Sequence, residues 1–209
     1  TKQLLVSITI LCLLVPISIF GAINGKYDWK NPLTWQQGSA SKTNDGRGKS
    51  LGSNGSESFT ASSCAIHSWS FMMLKVGVFP KGCHTPYQAR CWSDRKGHIA
   101  FTPGGLACFG NFGAAANKAA GKKVFTDYKT VEFGGSTVNR DMINKINALI
   151  RNRYVMVAHV NGSGVLTHYV CIDYADSSKN ALRLIDSGRI YDGFYRANVG
   201  TVYCYKVAK

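Results

Sequence analysis

The chain has 209 residues, 45% of them hydrophobic and 17% charged, which excludes a wholly disordered chain and allows one domain with a core of its own. Lys and Arg total 25 against 11 Asp and Glu, a net charge of +14. That balance points to a polyanionic partner or surface: nucleic acid, anionic lipid or the anionic polymers of a bacterial cell wall.

Residues 4–23 carry no charged side chain, and about 20 apolar residues suffice to cross a bilayer as a helix. Pro16 and several Ser and Thr make this a middling span, with a secretory signal as the rival reading. A chain that starts on Thr1 is expected either to retain this segment as an anchor or to be cut from a longer precursor. In the second case the segment packs against neighbouring chains of a larger assembly. The stretch 36–63, "QQGSASKTNDGRGKSLGSNGSESFTASS", has the composition of a flexible linker. The expected organisation is therefore residues 1–25 membrane-inserting, 26–54 linker and 55–209 folded domain. "GRGKS" is no phosphate loop, because Thr43 stands where the full motif needs glycine.

In "SCAIHSWSFMMLKVG" apolar residues recur at 65/66, 69, 72/73 and 76. This predicts a helix with one buried face, capped by Ser62 or Ser63 and stopped at Gly77. The Gly-rich stretch 79–128 reads as loops with short helical pieces. Residues 137–151 predict a second helix, with Met142, Ile143, Ile146, Leu149 and Ile150 on one side. "RYVMVAHV", the turn "NGSG" and "VLTHYVCIDY" predict a hairpin, followed by strands in "ALRLID", "IYDGFYR" and "TVYCYKV". Helices first and an antiparallel meander after them make the class α+β.

Cysteines stand at Cys12, Cys64, Cys83, Cys91, Cys108, Cys171 and Cys204, an odd count that leaves at least one outside any intrachain pair. Cys83, Cys91 and Cys108 are close enough for one local disulfide in an exported protein. With His84 and His98 they have the residue types of a zinc site, but the spacing is irregular and no C-x-x-C occurs. Neither a metal nor a cofactor is expected.

Cys64 is the cysteine with chemistry to offer. A helix N-terminus favours the thiolate, the reactive form of the side chain. His168 lies in the second hairpin strand, sharing a face with Leu166, Val170 and Ile172, and Asp186 closes the next strand. Adjacent strands bring a carboxylate beside the imidazole, and a thiol, a base and an orienting group together make an activated nucleophile. Taken singly, each has a structural reading: a packed thiol, a histidine filling a sheet face, a turn aspartate before Ser-Gly. Asp173 is the rival orienter, set on the opposite face by strand parity. His67 and His159 are rival bases.

"SCAIHSWSFMMLKVG" followed by "THYVCIDYADSSKNALRLIDSG" resembles the papain-like bacteriocin-processing (double-glycine leader) peptidases and their cell-wall-lysing cousins, over about residues 55–207. The resemblance implies a papain-like fold with the catalytic helix on an antiparallel sheet. It also implies Cys64 as nucleophile, His168 as general base and acid, and Asp186 as orienter. That family usually has a Gln about six residues before the Cys as oxyanion donor, where this chain has Ser58. The Cys64 N–H offers one donor, and Gln37 or Ser58 are the candidates for the second.

These features together lead to the expectation of a cysteine endopeptidase acting on bacterial peptidoglycan, located at the cell envelope or outside the cell, membrane-associated through residues 4–23. A phage tail component is the virion version of this expectation. The alternatives are a leader-peptide processing peptidase and a catalytically inactive, membrane-inserting component of an assembly. The basic residues are scattered along the sequence, so no specific nucleic-acid face is expected.

Overall fold

The computed structural model describes Lys49 and residues 62–83, 86–162, 165–186 and 193–209. The apolar segment 4–23, the linker but for Lys49, and Gln37 and Ser58 lie outside the described residues. Among the described residues, no helix is long and apolar enough to cross a membrane.

The elements run α1 (Cys64–Lys75), α2 (Pro86–Arg95), α3 (Phe109–Ala120), β1 (Phe125–Thr137), α4 (Arg140–Arg151), β2 (Tyr154–Gly162), β3 (Val165–Asp176), β4 (Ala181–Ile185), β5 (Gly193–Tyr195) and β6 (Asn198–Val207). The class is α+β, with four helices and a six-stranded antiparallel sheet among the described residues. The strand order is β1-β6-β2-β3-β4-β5. This corrects the expected simple meander: β2 to β5 follow one another, but β6 returns to lie between β1 and β2.

Period-2 alternation gives the central strands two apolar faces, so the sheet is covered on both sides. Val155, Val157, Cys171 and Ile185 face α1, α2 and α3, whereas Met156, Ala158, Val160, Val170, Ile172, Leu182 and Leu184 face α4. Helix α4 presents Met142, Ile143, Ile146 and Leu149 to that second face, and its N-terminus is capped by Asn139, whose side chain accepts from Met142 N at 3.0 Å.

Helix α1 departs from expectation. Every residue from Cys64 to Lys75 is buried, not one stripe alone. The sheet lies on one side of it, and α2 and α3 supply core residues elsewhere, with Trp69 tilted against Phe112 at 4.9 Å between ring centroids. An all-round buried helix needs partners for its polar groups. Ser68 Oγ donates to the Tyr169 carbonyl at 2.8 Å, and Lys75 Nζ reaches the Asp173 carboxylate at 3.1 Å. Ser68 and Lys75 therefore fix α1 along β3, whereas Ser70 Oγ and Trp69 Nε1 are buried with no hydrogen-bond partner among the described residues. On the same side, α3 approaches β6 closely because Gly113 has no Cβ: one there would meet the Tyr205 ring at 3.3 Å.

Candidate active site

The β3–β4 register places the first part of the site. Cys171 pairs with Ile185, so Asp186, one residue further, falls abreast of Val170 and diagonal to His168. Diagonal residues on one face of an antiparallel pair lie within side-chain reach. His168 Nε2 donates to Asp186 Oδ1 at 2.6 Å, with both groups buried. The bond commits one ring nitrogen and leaves Nδ1 for another partner.

Cys64 is the other group that acts on this ring. It opens α1, and the anchoring of Ser68 and Lys75 along β3 holds the helix start near the beginning of that strand. Its side chain is near enough to the His168 imidazole to act on the ring's charge, and its Sγ also lies 4.0 Å from the Ser62 carbonyl. Burial works against a charged ring here. The hydrogen bond and charge of Asp186, with the neighbouring Cys64 side chain, outweigh it and raise the His168 pKa to about 9. The structure thus brings Cys64, His168 and Asp186 together.

The helix start itself differs from the expected cap. Ser63 occupies the N-cap position, but its side chain makes no capping bond. Its Oγ lies 3.1 Å from His67 Nδ1, and its carbonyl accepts from that nitrogen at 2.9 Å. Ser63 therefore does not cap the first-turn N–H groups of α1, a type of group suited to a developing negative charge.

The rival residues fall elsewhere. Asp173 is held by Lys75, in keeping with the strand parity that sets it apart from His168. Ring stacking on Tyr169 occupies His159, at 5.0 Å between centroids. His67 is fully buried, which lowers its pKa to about 4 despite the Ser63 hydrogen bond and the Asp186 charge. A neutral ring fastened to its own helix is a scaffold for the helix start. Since the unfolded ring titrates near 6.5, folding must exclude a proton between there and about 4. Stability should therefore fall as pH drops through that window, by about 3 kcal/mol at the full shift. Denaturant unfolding of the parent and His67→Leu at pH 7 and pH 4.5 checks this: the variant should lose distinctly less stability on acidification, and an equal loss refutes the assignment.

Cys64, Cys83, Cys91, Cys108, Cys171 and Cys204 are all free thiols, so the local disulfide expected among Cys83, Cys91 and Cys108 is not formed. Their positions explain it. Cys83 is buried after α1, Cys91 lies within α2, and Cys108 sits at the N-cap of α3. Among the described residues no three His, Cys, Asp or Glu side chains converge as metal ligands, and His84 lies outside them. Gln37 and Ser58 also lie outside them, so the second oxyanion donor has no described position. What the sequence reading missed is the support that Ser68 and Lys75 give by fixing α1 along β3, and the role of Ser63 and His67 as partners of each other. The signal was present as His67, Ser68, Ser70 and Lys75 on a helix otherwise apolar.

The chain matches no protein-family model and no curated protein.

Proposed function

We propose that this chain is a papain-like cysteine endopeptidase that cleaves peptide bonds of bacterial peptidoglycan. The observation that carries the reading is the buried His168–Asp186 hydrogen bond at 2.6 Å beside the Cys64 side chain at the start of α1. In this mechanism the thiolate adds to the scissile carbonyl carbon, and the Cys64 N–H stabilises the oxyanion. The tetrahedral species collapses as His168 gives its proton to the departing amine, leaving a thioester on Cys64. Water then attacks the thioester while His168 takes a proton from it, and the acid product leaves. Asp186 holds the ring in the orientation that both proton transfers need.

The net charge of +14 favours an anionic wall as the place of action, and residues 4–23 would tether the chain at the envelope. The first test is release of new amino groups from purified peptidoglycan by the full chain, beside its His168→Ala variant. The parent should cut and the folded variant should not. Cleavage confined to a double-glycine leader peptide would move the substrate to the leader-processing reading. No cleavage of either substrate by the folded parent would leave a non-enzymatic component of an assembly.

A further inference from the structure

The lysines that are scattered in sequence gather in one place on the fold. A groove of about 460 Å³ is lined by Lys129 and Val131 of β1, Lys145 and Leu149 of α4, Tyr154 of β2 and Lys206 of β6, among others. The Lys129 and Lys206 ammoniums stand 4.6 Å and 5.8 Å from the centroid of the same Tyr154 ring, and Lys145 lies 6.0 Å from the Phe133 ring. Among the described residues, none of the three lysines forms an ion pair. Asp127 accepts from the Tyr154 hydroxyl at 2.6 Å and is acidified first by that bond, with Lys129 and Lys206 contributing. Glu132 on the same strand is taken by Thr201 at 2.7 Å. Asp141, one turn before Lys145 on α4, forms no ion pair with it. Contact with an aromatic face stabilises an ammonium but neutralises none of its charge. Three like charges around one concavity whose lining contains no carboxylate make an electrostatic trap for an anion.

We propose that this groove binds a base-free phosphodiester chain, the chemistry of a polyol-phosphate wall polymer. Binding of single-stranded nucleic acid relies on open aromatic faces for its bases to stack on. Tyr154 is buried, its ring lies under two ammoniums and its hydroxyl is occupied. The groove therefore offers charge without a stacking platform, and reads phosphates alone. It is also separate from the thiol. β2 begins at Tyr154 in the groove, and His168 pairs with Val160, six residues along the same strand, about 20 Å of extended chain. Bound polymer would hold the protein to the wall without blocking the catalytic residues, and the binding claim does not depend on the peptidase reading.

The test is equilibrium binding of the full chain to a synthetic poly(glycerol phosphate) as a function of salt. The Lys129→Gln/Lys145→Gln/Lys206→Gln variant should bind roughly tenfold or more weakly, with the log–log salt slope reduced by about 2. The corresponding triple arginine variant should retain both affinity and slope. If the triple glutamine variant misfolds, each single Lys→Gln change should lower the slope by about 0.7. Unchanged affinity and slope in the glutamine variants would overturn the site. Tighter, equally lysine-dependent binding of a single-stranded oligonucleotide of matched charge would overturn the ligand class. Cleavage of a short soluble peptide should be the same in parent and triple variant.

Discussion

Cys64→Ser should lower kcat/KM for peptide cleavage by about 10⁴-fold or more, with the folded state retained. The substitution exchanges one atom in a buried position, so packing changes little and the loss reports chemistry. A serine hydroxyl ionises far less readily than a thiol, and the thiolate–imidazolium pair that makes His168 a proton donor is lost with the sulfur. His168→Ala should fall to the same level. The double variant should fall no further than either single, because residues that act as a unit are not additive. Steady-state kinetics on a soluble peptide checks all three, and residual activity in Cys64→Ser within tenfold of the parent would exclude a thiol nucleophile.

Asp186→Asn should change the pH profile as well as the rate. Burial alone would depress the His168 pKa; the hydrogen bond and charge of Asp186, with the neighbouring Cys64 side chain, raise it to about 9. Activity of the parent should therefore fall as pH rises through about 9, where the ring loses the proton owed to the leaving amine. Asparagine keeps a hydrogen-bond acceptor but removes the charge, so the alkaline limb should move down towards the ordinary histidine range, about 6.5. The rate at pH 7 should drop by roughly 10- to 100-fold, since the ring is less often charged and less firmly oriented. An alkaline limb that stays at its parental position would show that Asp186 does not set the state of His168.

Some of this was legible in the sequence and some was not, for physical reasons. The grouping of Cys64, His168 and Asp186 could be read because each sits where local rules are strong: Cys64 at the start of an apolar-periodic helix, His168 in an alternating strand, Asp186 directly after a short apolar strand. The hairpin strands and α4 were legible from their period. Strand β1 was not, because it is an edge strand. Only Phe125 at its start is buried and most of its side chains are exposed, so "FTDYKTVEF" has no apolar face to report. Helices α2 and α3 were hidden in Gly- and Cys-containing sequence with few large apolar residues; Ala115 and Ala116 pack through their smallness. The all-round burial of α1 depends on what α2 and α3 bring to it, which no local pattern states.

The lysine groove shows the same limit more sharply. Lys129, Lys145 and Lys206 come from β1, α4 and β6, and only the return of β6 beside β1 and β2 makes them neighbours. Reading charge along the chain gives a scattered basic surface. The antiparallel pairing turns part of it into a cluster.

The central claim is that Cys64 is an activated nucleophile working through His168, and alkylation tests it most directly. The full chain is treated with iodoacetamide at pH 6–7, and the modification rate at each cysteine is followed by mass spectrometry in the parent and in His168→Ala. Cys64 should react well ahead of a free thiol and of every other cysteine in the chain, and that advantage should vanish in the variant. Reaction of Cys64 no faster than a free thiol, or at the same enhanced rate without His168, would contradict the account.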